Sequence, residues 1–418
     1  MFRTRFGRYL PPVADTLPVT APVRRSAAID IARGLAVCAV VALHIVNGLA
    51  PLDLIPDGNR LAPAIVDIGL LRLPALALLL GLFIPGGVGK RGVGGYIYSR
   101  VLIVGYMYVI WSVIQGAIGV ITSGVRNNKT GILDILTLWT PELQLWFLPY
   151  VVVASVLMAV LRPWRHPVLG TVVLVVFAAV AVLMWGRNFE IAGTYGLSLL
   201  FFSAIGATVG LRRMVTALER PTWLWVLFGV IGTAGFLVAV RWPHRPAVTG
   251  EGGVTTSVLV ASLIATLLGI VALLAVSKLL SMIPRVSEAL QLIGRHTLEI
   301  YVMHIVLYAG TRVVLLKAGI ENFTVHMVVG MLAGVGIPIL AAVLAPRWHL
   351  GWLFSPPAWL DRGLRRIGLR LGIGQGVAPE ANKAEAATGS VAHDRGASVQ
   401  VPALPEQRDR RADAREHV

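Results

Sequence analysis

Long apolar runs separated by short, arginine-bearing breaks dominate the chain. Ten of them, at about 31–50, 61–84, 101–122, 143–161, 167–185, 192–211, 222–240, 255–277, 297–316 and 324–345, reach the roughly 20 residues that cross a hydrocarbon core. The charged segments 162–166 and 212–220 separate runs that would otherwise merge. A helix satisfies its own backbone inside lipid. The pattern therefore predicts an all-α fold: a polytopic integral membrane helix bundle of about ten transmembrane helices, filling residues 27–346.

The flanks read differently. Residues 1–26 carry arginines but no apolar core, and Pro11, Pro12, Pro18 and Pro22 interrupt them, which predicts a cytoplasmic arm and not a cleaved signal peptide. Residues 347–374 mix Trp, Leu and Arg and predict an amphipathic juxtamembrane segment lying on the inner leaflet. Residues 375–418, rich in Ala, Gly, Pro and mixed charge, predict a disordered cytoplasmic tail.

Composition sharpens this picture. Of 418 residues 56% are hydrophobic and only 14% charged, which excludes an ordinary soluble fold. A formal net charge of +16 would suit a nucleic-acid partner, but the placement of Lys and Arg removes the need for one. With the N-terminus inside, Arg24, Arg25, Lys90, Arg91, Arg100, Arg162, Arg165, Arg212, Arg213, Arg220, Lys278, Arg285 and Arg295 fall in inner loops. Fewer basic residues, among them Arg60, Arg126, Arg187 and Lys317, fall outside. That asymmetry predicts both termini cytoplasmic and a multi-pass protein of the inner (cytoplasmic) cell membrane, with membrane lipid as its surroundings and no nucleic acid bound. A single Cys38 excludes a disulfide framework and a Cys-based zinc site. Metal-ligand spacings are lacking, so no metal and no bound cofactor are expected.

Ionisable residues inside a span are costly and point to function. The first span holds Asp30, Arg33 and His44. On a helix, Arg33 and His44 lie within about 20° of one face and about 16 Å apart along the axis, with Asn47 one turn beyond. Their common face predicts a shared hydrated vestibule. An imidazole can take a proton from a hydroxyl, and a guanidinium can hold an anion or a carboxylate. A structural histidine and a snorkelling arginine are the plainer alternatives. Arg72, in the outer part of the second span, is placed to share a cavity with His44 and contact an acceptor or oxyanion; pairing with Asp67 or snorkelling serves equally well. In the ninth span Glu299, Tyr301 and His304 suit a supporting role, with His304 nearer the inner end. Trp146 suits the acceptor entrance or an interfacial aromatic belt. Lys90, Arg91 and Arg100 cluster in the inner loop between the second and third spans, where ordinary positive-inside charge accounts for them.

The segment IDIARGLAVCAVVALH resembles the opening signature of membrane acyltransferase family 3, an Arg followed by ten residues and a His. LRLPALALLLG (71–81), GKRGVGGYIYSRVLIVGYMYVIW, QLWFLPYVV (144–152) and GRHTLEIYVMH (294–304) resemble further segments of that family in the same order. The resemblance implies transfer of an acyl group, acetyl in particular, from cytoplasmic acyl-CoA to a hydroxyl of a cell-envelope glycan, glycolipid or related lipid-linked acceptor. It implies that His44 and Arg33 are the essential pair, with His44 acting as general base or as transient acyl carrier. Acyl-CoA, acetyl-CoA foremost, enters as donor substrate, with Lys90, Arg91 and Arg100 as the candidates to meet its phosphates. A glycan or lipid transporter or flippase is the competing reading, since intramembrane Arg and His also mark transport paths.

Overall fold

The structure is a computed structural model that describes residues 26–121, 137–140, 143–187, 189, 191–248 and 254–370. The N-terminal arm up to residue 25 and everything from 371 onward, including the end of the juxtamembrane segment and the tail, lie outside the described residues. Among the described residues there are helices and no strands.

Nine helical stretches among these residues are long and apolar enough to cross a membrane, one fewer than the ten expected runs. The difference lies in a single 61-residue stretch, Leu61–Ile121, which carries both the second and third expected spans. Helix α2 (Leu61–Arg100) runs past the expected end at 84, through Pro85, and continues over a π-helical turn (Val101–Gly105) into α3 (Tyr106–Ile121). It is broken at Gly92, whose φ of 69° and ψ of 171° leave the helical region and suit a residue without Cβ. Tyr96 lies against Gly87, where a Cβ would come within 2.5 Å of the tyrosine ring. In a straight helix nine residues span about 13.5 Å, so this contact requires the chain to bend sharply at Gly92.

Helix α1 (Ala27–Leu49) lies inside the bundle. It packs on α2, α8 (Thr256–Leu280), the short α9 (Pro284–Arg295), α10 (Thr297–Lys317) and α11 (Phe323–Met331). Its Val37, Val40, Val41 and Leu43 are buried. Small residues bring the backbones together where lipid supplies no hydrophobic drive. Gly34 abuts the Leu290 carbonyl and the Gly294 backbone, and a Cβ on Gly294 would overlap the Asp30 carbonyl. Gly81 of α2 and Gly206 of α6 (Leu200–Leu218) make the same kind of crossing. A further span, Phe323–Leu344, joins α11 to α12 (Ile337–Leu344) through a π-helical turn at Leu332–Gly336, which presses Gly334 onto Val41 beside His304.

The remaining membrane helices, α4 (Phe147–Leu161), α5 (Pro167–Met184) and α7 (Thr222–Ala239), complete the bundle. Val175 on α5 and Val230 and Leu237 on α7 are exposed, a surface that suits lipid. The juxtamembrane segment forms α13 (Ala358–Arg370), preceded by a short turn at Gly351–Leu353. It docks on the second arm of the long stretch: Tyr98 donates to an Asp361 carboxylate oxygen at 2.9 Å, Tyr106 to the Trp352 carbonyl at 2.7 Å and the Trp111 indole to the Leu353 carbonyl at 2.9 Å.

Candidate active site

The seam between α1 and α10 collects the polar residues. His44 of α1 and His304 of α10 face each other with ring centres 5.2 Å apart and planes inclined at 50°. Counting residues along each span places His304 well inward of His44. The Gly34–Gly294 contact corrects this, because it docks α9 against the start of α1 and α10 follows directly. Ten residues further along both chains, the two imidazoles meet.

His304 is fully buried. Its Nδ1 lies 2.8 Å from the Tyr301 carbonyl and 3.1 Å from that of Ile300. Carbonyls only accept, so Nδ1 carries the proton and Nε2 presents a lone pair. That Nε2 is buried with no hydrogen-bond partner among the described residues. His44 makes no hydrogen bond among the described residues and is partly exposed.

The segment after residue 143 wraps this part of α10. The Tyr301 hydroxyl donates to the Gln144 carbonyl, and its ring lies 5.6 Å from Phe147. Gln144 donates to Gln115 at 3.4 Å, and Gln115 donates to the Val302 carbonyl at 2.8 Å, so two buried amides tie α3 to α10. Trp146 packs edge-on to Phe147 at 5.7 Å and against Tyr195 at 4.8 Å.

Arg72 departs from expectation in its partner. Asp67 instead pairs with His244 at 3.2 Å, while Arg72 turns back along its own helix and donates from Nη1 to the Gly69 carbonyl at 2.6 Å. Asp67 and Arg72 are five positions apart, about 140° around the helix, which puts the carboxylate on another face of α2. The Arg72 Nε is buried without a partner, and no carboxylate lies within ion-pair distance among the described residues. A Cβ on Gly69 would meet both the Arg72 Nη1 and the Leu43 side chain, so the guanidinium lies against α1 beside the residue that precedes His44. A small cleft beside it is bounded by Pro74, Leu199, Pro246 and Val248.

The other end of α1 holds the second polar group. Asp30 is buried, with Arg33 at 3.9 Å on one side and Arg295 at 4.0 Å on the other, and the Arg33 guanidinium lies 6.0 Å over the Phe83 ring. Arg33 and His44 thus share α1 but do not meet, since eleven residues of unbroken helix hold them about 16 Å apart. Neither of the two best-formed clefts is lined by Arg33 or His44, so the expected vestibule is not among them. Asn47 is exposed. Glu299 approaches His296 at 3.7 Å in the first turn of α10 and stands apart from the histidine pair. In the basic loop Lys90 and Arg91 are exposed, whereas Arg100 is held by the Tyr96 hydroxyl at 3.2 Å and stacks on its ring at 5.4 Å.

Three further residues of this region are not among those expected from the sequence. Arg312 sits within the ninth expected span, and an ionisable residue there is a legible signal. Gln115 is an uncharged amide and His296 lies just before the ninth expected span, so neither is marked by an ionisable position inside a span.

No curated protein and no solved structure matches the chain. Residues 26–343, beginning just before Asp30 and ending beyond the π-helical turn beside His304, match the acyltransferase domain of acyltransferase family 3, and the chain belongs to that family of membrane acyltransferases.

Proposed function

We propose that the protein transfers an acyl group, acetyl in the simplest case, from cytoplasmic acyl-CoA to a hydroxyl of a cell-envelope glycan, glycolipid or related acceptor at the opposite face. The observation that carries this reading is the imidazole pair. His44 has no hydrogen bond of its own among the described residues, and 5.2 Å away stands a second ring whose backbone contacts fix it as an acceptor. A small rotation lets His304 Nε2 accept a hydrogen bond from His44. That bond orients His44 so that its other nitrogen takes the proton of the acceptor hydroxyl.

The chemistry balances on these groups. The hydroxyl oxygen bonds to the thioester carbonyl carbon as its proton passes to His44. The oxyanion that develops is stabilised by Arg72, a cation without a counter-ion among the described residues. The C–S bond then breaks, and the departing thiolate recovers the proton from the His44 imidazolium. If His44 instead carries the acyl group, its nitrogen bonds to the thioester carbon, the C–S bond breaks and the thiolate leaves with the imidazole proton; the acceptor hydroxyl then attacks the acyl-imidazole, the C–N bond breaks and the imidazole takes the hydroxyl proton.

Donor recognition falls to the opposite end of α1. Arg33, Lys90, Arg91 and Arg100 supply cations for the CoA phosphates, with Arg100 already oriented by Tyr96. The seam between Arg33 and His44 is packed with buried apolar residues, so the pantetheine arm enters only where the helices part. Tyr301, the Gln115–Gln144 pair and Trp146 hold α10 and the following wall in place.

Protein in lipid nanodiscs, given acetyl-CoA labelled in the acetyl group together with an envelope glycolipid extract, tests the assignment. Mass spectrometry is expected to find one added acyl unit on a single acceptor species, with the label lost in His44→Ala. Retention of transfer by His44→Ala would overturn the mechanism. Omitting acceptor separates the two roles of His44, because only an acyl carrier leaves label on the protein.

A further inference from the structure

Beyond the histidines, toward the C-terminal end of α1, lies a second guanidinium that the acyl-transfer chemistry does not use. Arg312 donates from Nη1 to the Gly48 carbonyl at 2.5 Å. Its Nε is buried without a partner, and among the described residues no carboxylate stands within ion-pair distance. Capping the end of α1 accounts for one of its five N–H donors, since Gly48 offers one of the orphan carbonyls of the last turn. Two other polar side chains nearby are already committed. Thr311 donates to the Leu307 carbonyl at 2.8 Å, and His326 Nε2 lies 2.8 Å from the Ile320 carbonyl. Arg312 therefore brings spare, charged donors to a narrow cleft that it borders with Tyr308, Ile45 and Leu49.

A cation in a membrane helix is costly and is retained where something anionic meets it. The Gly48 carbonyl meets one donor of this half-buried guanidinium and no protein anion meets the rest among the described residues, so donors stay open to an anionic ligand. The cleft has room for about one water-sized group, too little for a sugar ring, so it takes at most the tip of a carboxylate or phosphate. Its position adds a second argument. Gly48 is one helical turn beyond His44, about 6 Å along α1, and Tyr308 and Arg312 follow His304 on the same face of α10. A group anchored at Arg312 would leave the next portion of the same molecule beside the imidazoles.

We infer that Arg312 anchors an anion subsite, which makes the acceptor a molecule bearing a carboxylate or phosphate about one sugar unit from the hydroxyl that is acylated. The inference rests on the proposed acyl transfer for its purpose, but binding can be read without any donor.

Nanodisc-embedded protein, free of acyl-CoA, is titrated calorimetrically with p-nitrophenyl β-glucuronide, with the neutral p-nitrophenyl β-glucoside and with glycerol phosphate. At least one charged probe is expected to bind ten-fold or more tightly than the neutral sugar. Preference for the glucuronide assigns a sugar acid, and preference for glycerol phosphate assigns a phosphorylated headgroup or linker. In Arg312→Gln the advantage is expected to vanish. Arg312→Lys keeps the charge but not the fork, and is expected to retain only part of the advantage, which covers the case in which the glutamine variant does not fold. Equal binding of charged and neutral probes to the unaltered protein would overturn the inference, as would an undiminished advantage in Arg312→Lys together with Arg312→Gln. A protein that binds the charged probe yet transfers no acyl group leaves the subsite standing and removes the proposed function.

Discussion

Gly34 and Gly294 pack backbone against backbone, and this contact sets the register in which His44 meets His304. Each histidine lies ten residues beyond its glycine. The next turn continues the match, with Tyr308 against Gly48. A contact at one end of the seam therefore controls the geometry of the imidazoles about 15 Å away.

Substituting either glycine by alanine forces α9 off α1. Neither clash can be relieved by a flexible side chain, because the opposing atoms are the carbonyls of Leu290 and Asp30. Gly294→Ala is expected to cost about 1–3 kcal/mol or more and to reduce acyl transfer further than the fraction unfolded explains, since the histidine pair moves apart. Thermal unfolding in detergent and transfer rates of the folded fraction measure the two effects. Gly310→Ala, on the same seam helix with open space around it, is expected to leave both unchanged.

If His304 acts through His44, as proposed, its signature differs from a packing role. His304→Gln keeps a polar side chain of similar size but loses the fixed acceptor. The expectation is a loss of about 10–100-fold in kcat, with the KM for acyl-CoA unchanged and the pH profile of kcat displaced. A rise in KM with an unaltered pH profile would show that His304 merely fills space.

Arg72 offers a test in which stability and activity move in opposite directions. A buried guanidinium with no carboxylate partner burdens the fold, so Arg72→Met is expected to leave unfolding unchanged or to stabilise the protein by up to about 1–4 kcal/mol. If the cation stabilises the oxyanion, transfer falls by about 10²–10³ in the same variant. Asp67→Asn, which alters only the His244 pair, is expected to retain full transfer. A destabilised Arg72→Met with proportionate loss of activity would mean that Arg72 serves the fold.

Much of this architecture is legible in the order of residues alone. Apolar run lengths specify the helices because lipid admits little else, and the intramembrane charges of α1 mark its polar face. Distances between helices are not written there. The depth of His304 depends on where α9 docks, and that depends on two glycines whose role is visible only when both backbones are placed. The second and third spans read as separate, yet the helix continues through Pro85 to Gly92, since glycine breaks and bends a helix without leaving an apolar gap. Asp67 suits Arg72 by proximity in sequence, but five positions on a helix turn the two side chains about 140° apart, and His244 from a distant loop takes the carboxylate.

The basic loop supplies the last prediction. Lys90 and Arg91 are exposed, and Arg91 donates one long hydrogen bond to the Ser99 hydroxyl at 3.3 Å. Arg100 differs because the Tyr96 hydroxyl and ring hold its guanidinium in one orientation, and an oriented fork loses less freedom on meeting a phosphate. A charge-assisted bond of about 1.5–3 kcal/mol corresponds to roughly ten-fold or more in affinity. Arg100→Gln is therefore expected to raise the KM for acyl-CoA about ten-fold with kcat nearly unchanged. Lys90→Gln and Arg91→Gln should raise it less than three-fold, and Tyr96→Phe should fall between. Steady-state kinetics at low and high salt resolve the contributions, because the exposed charges are screened and the held one less so. Equal effects from all three substitutions would reduce Arg100 to a share of the general positive surface.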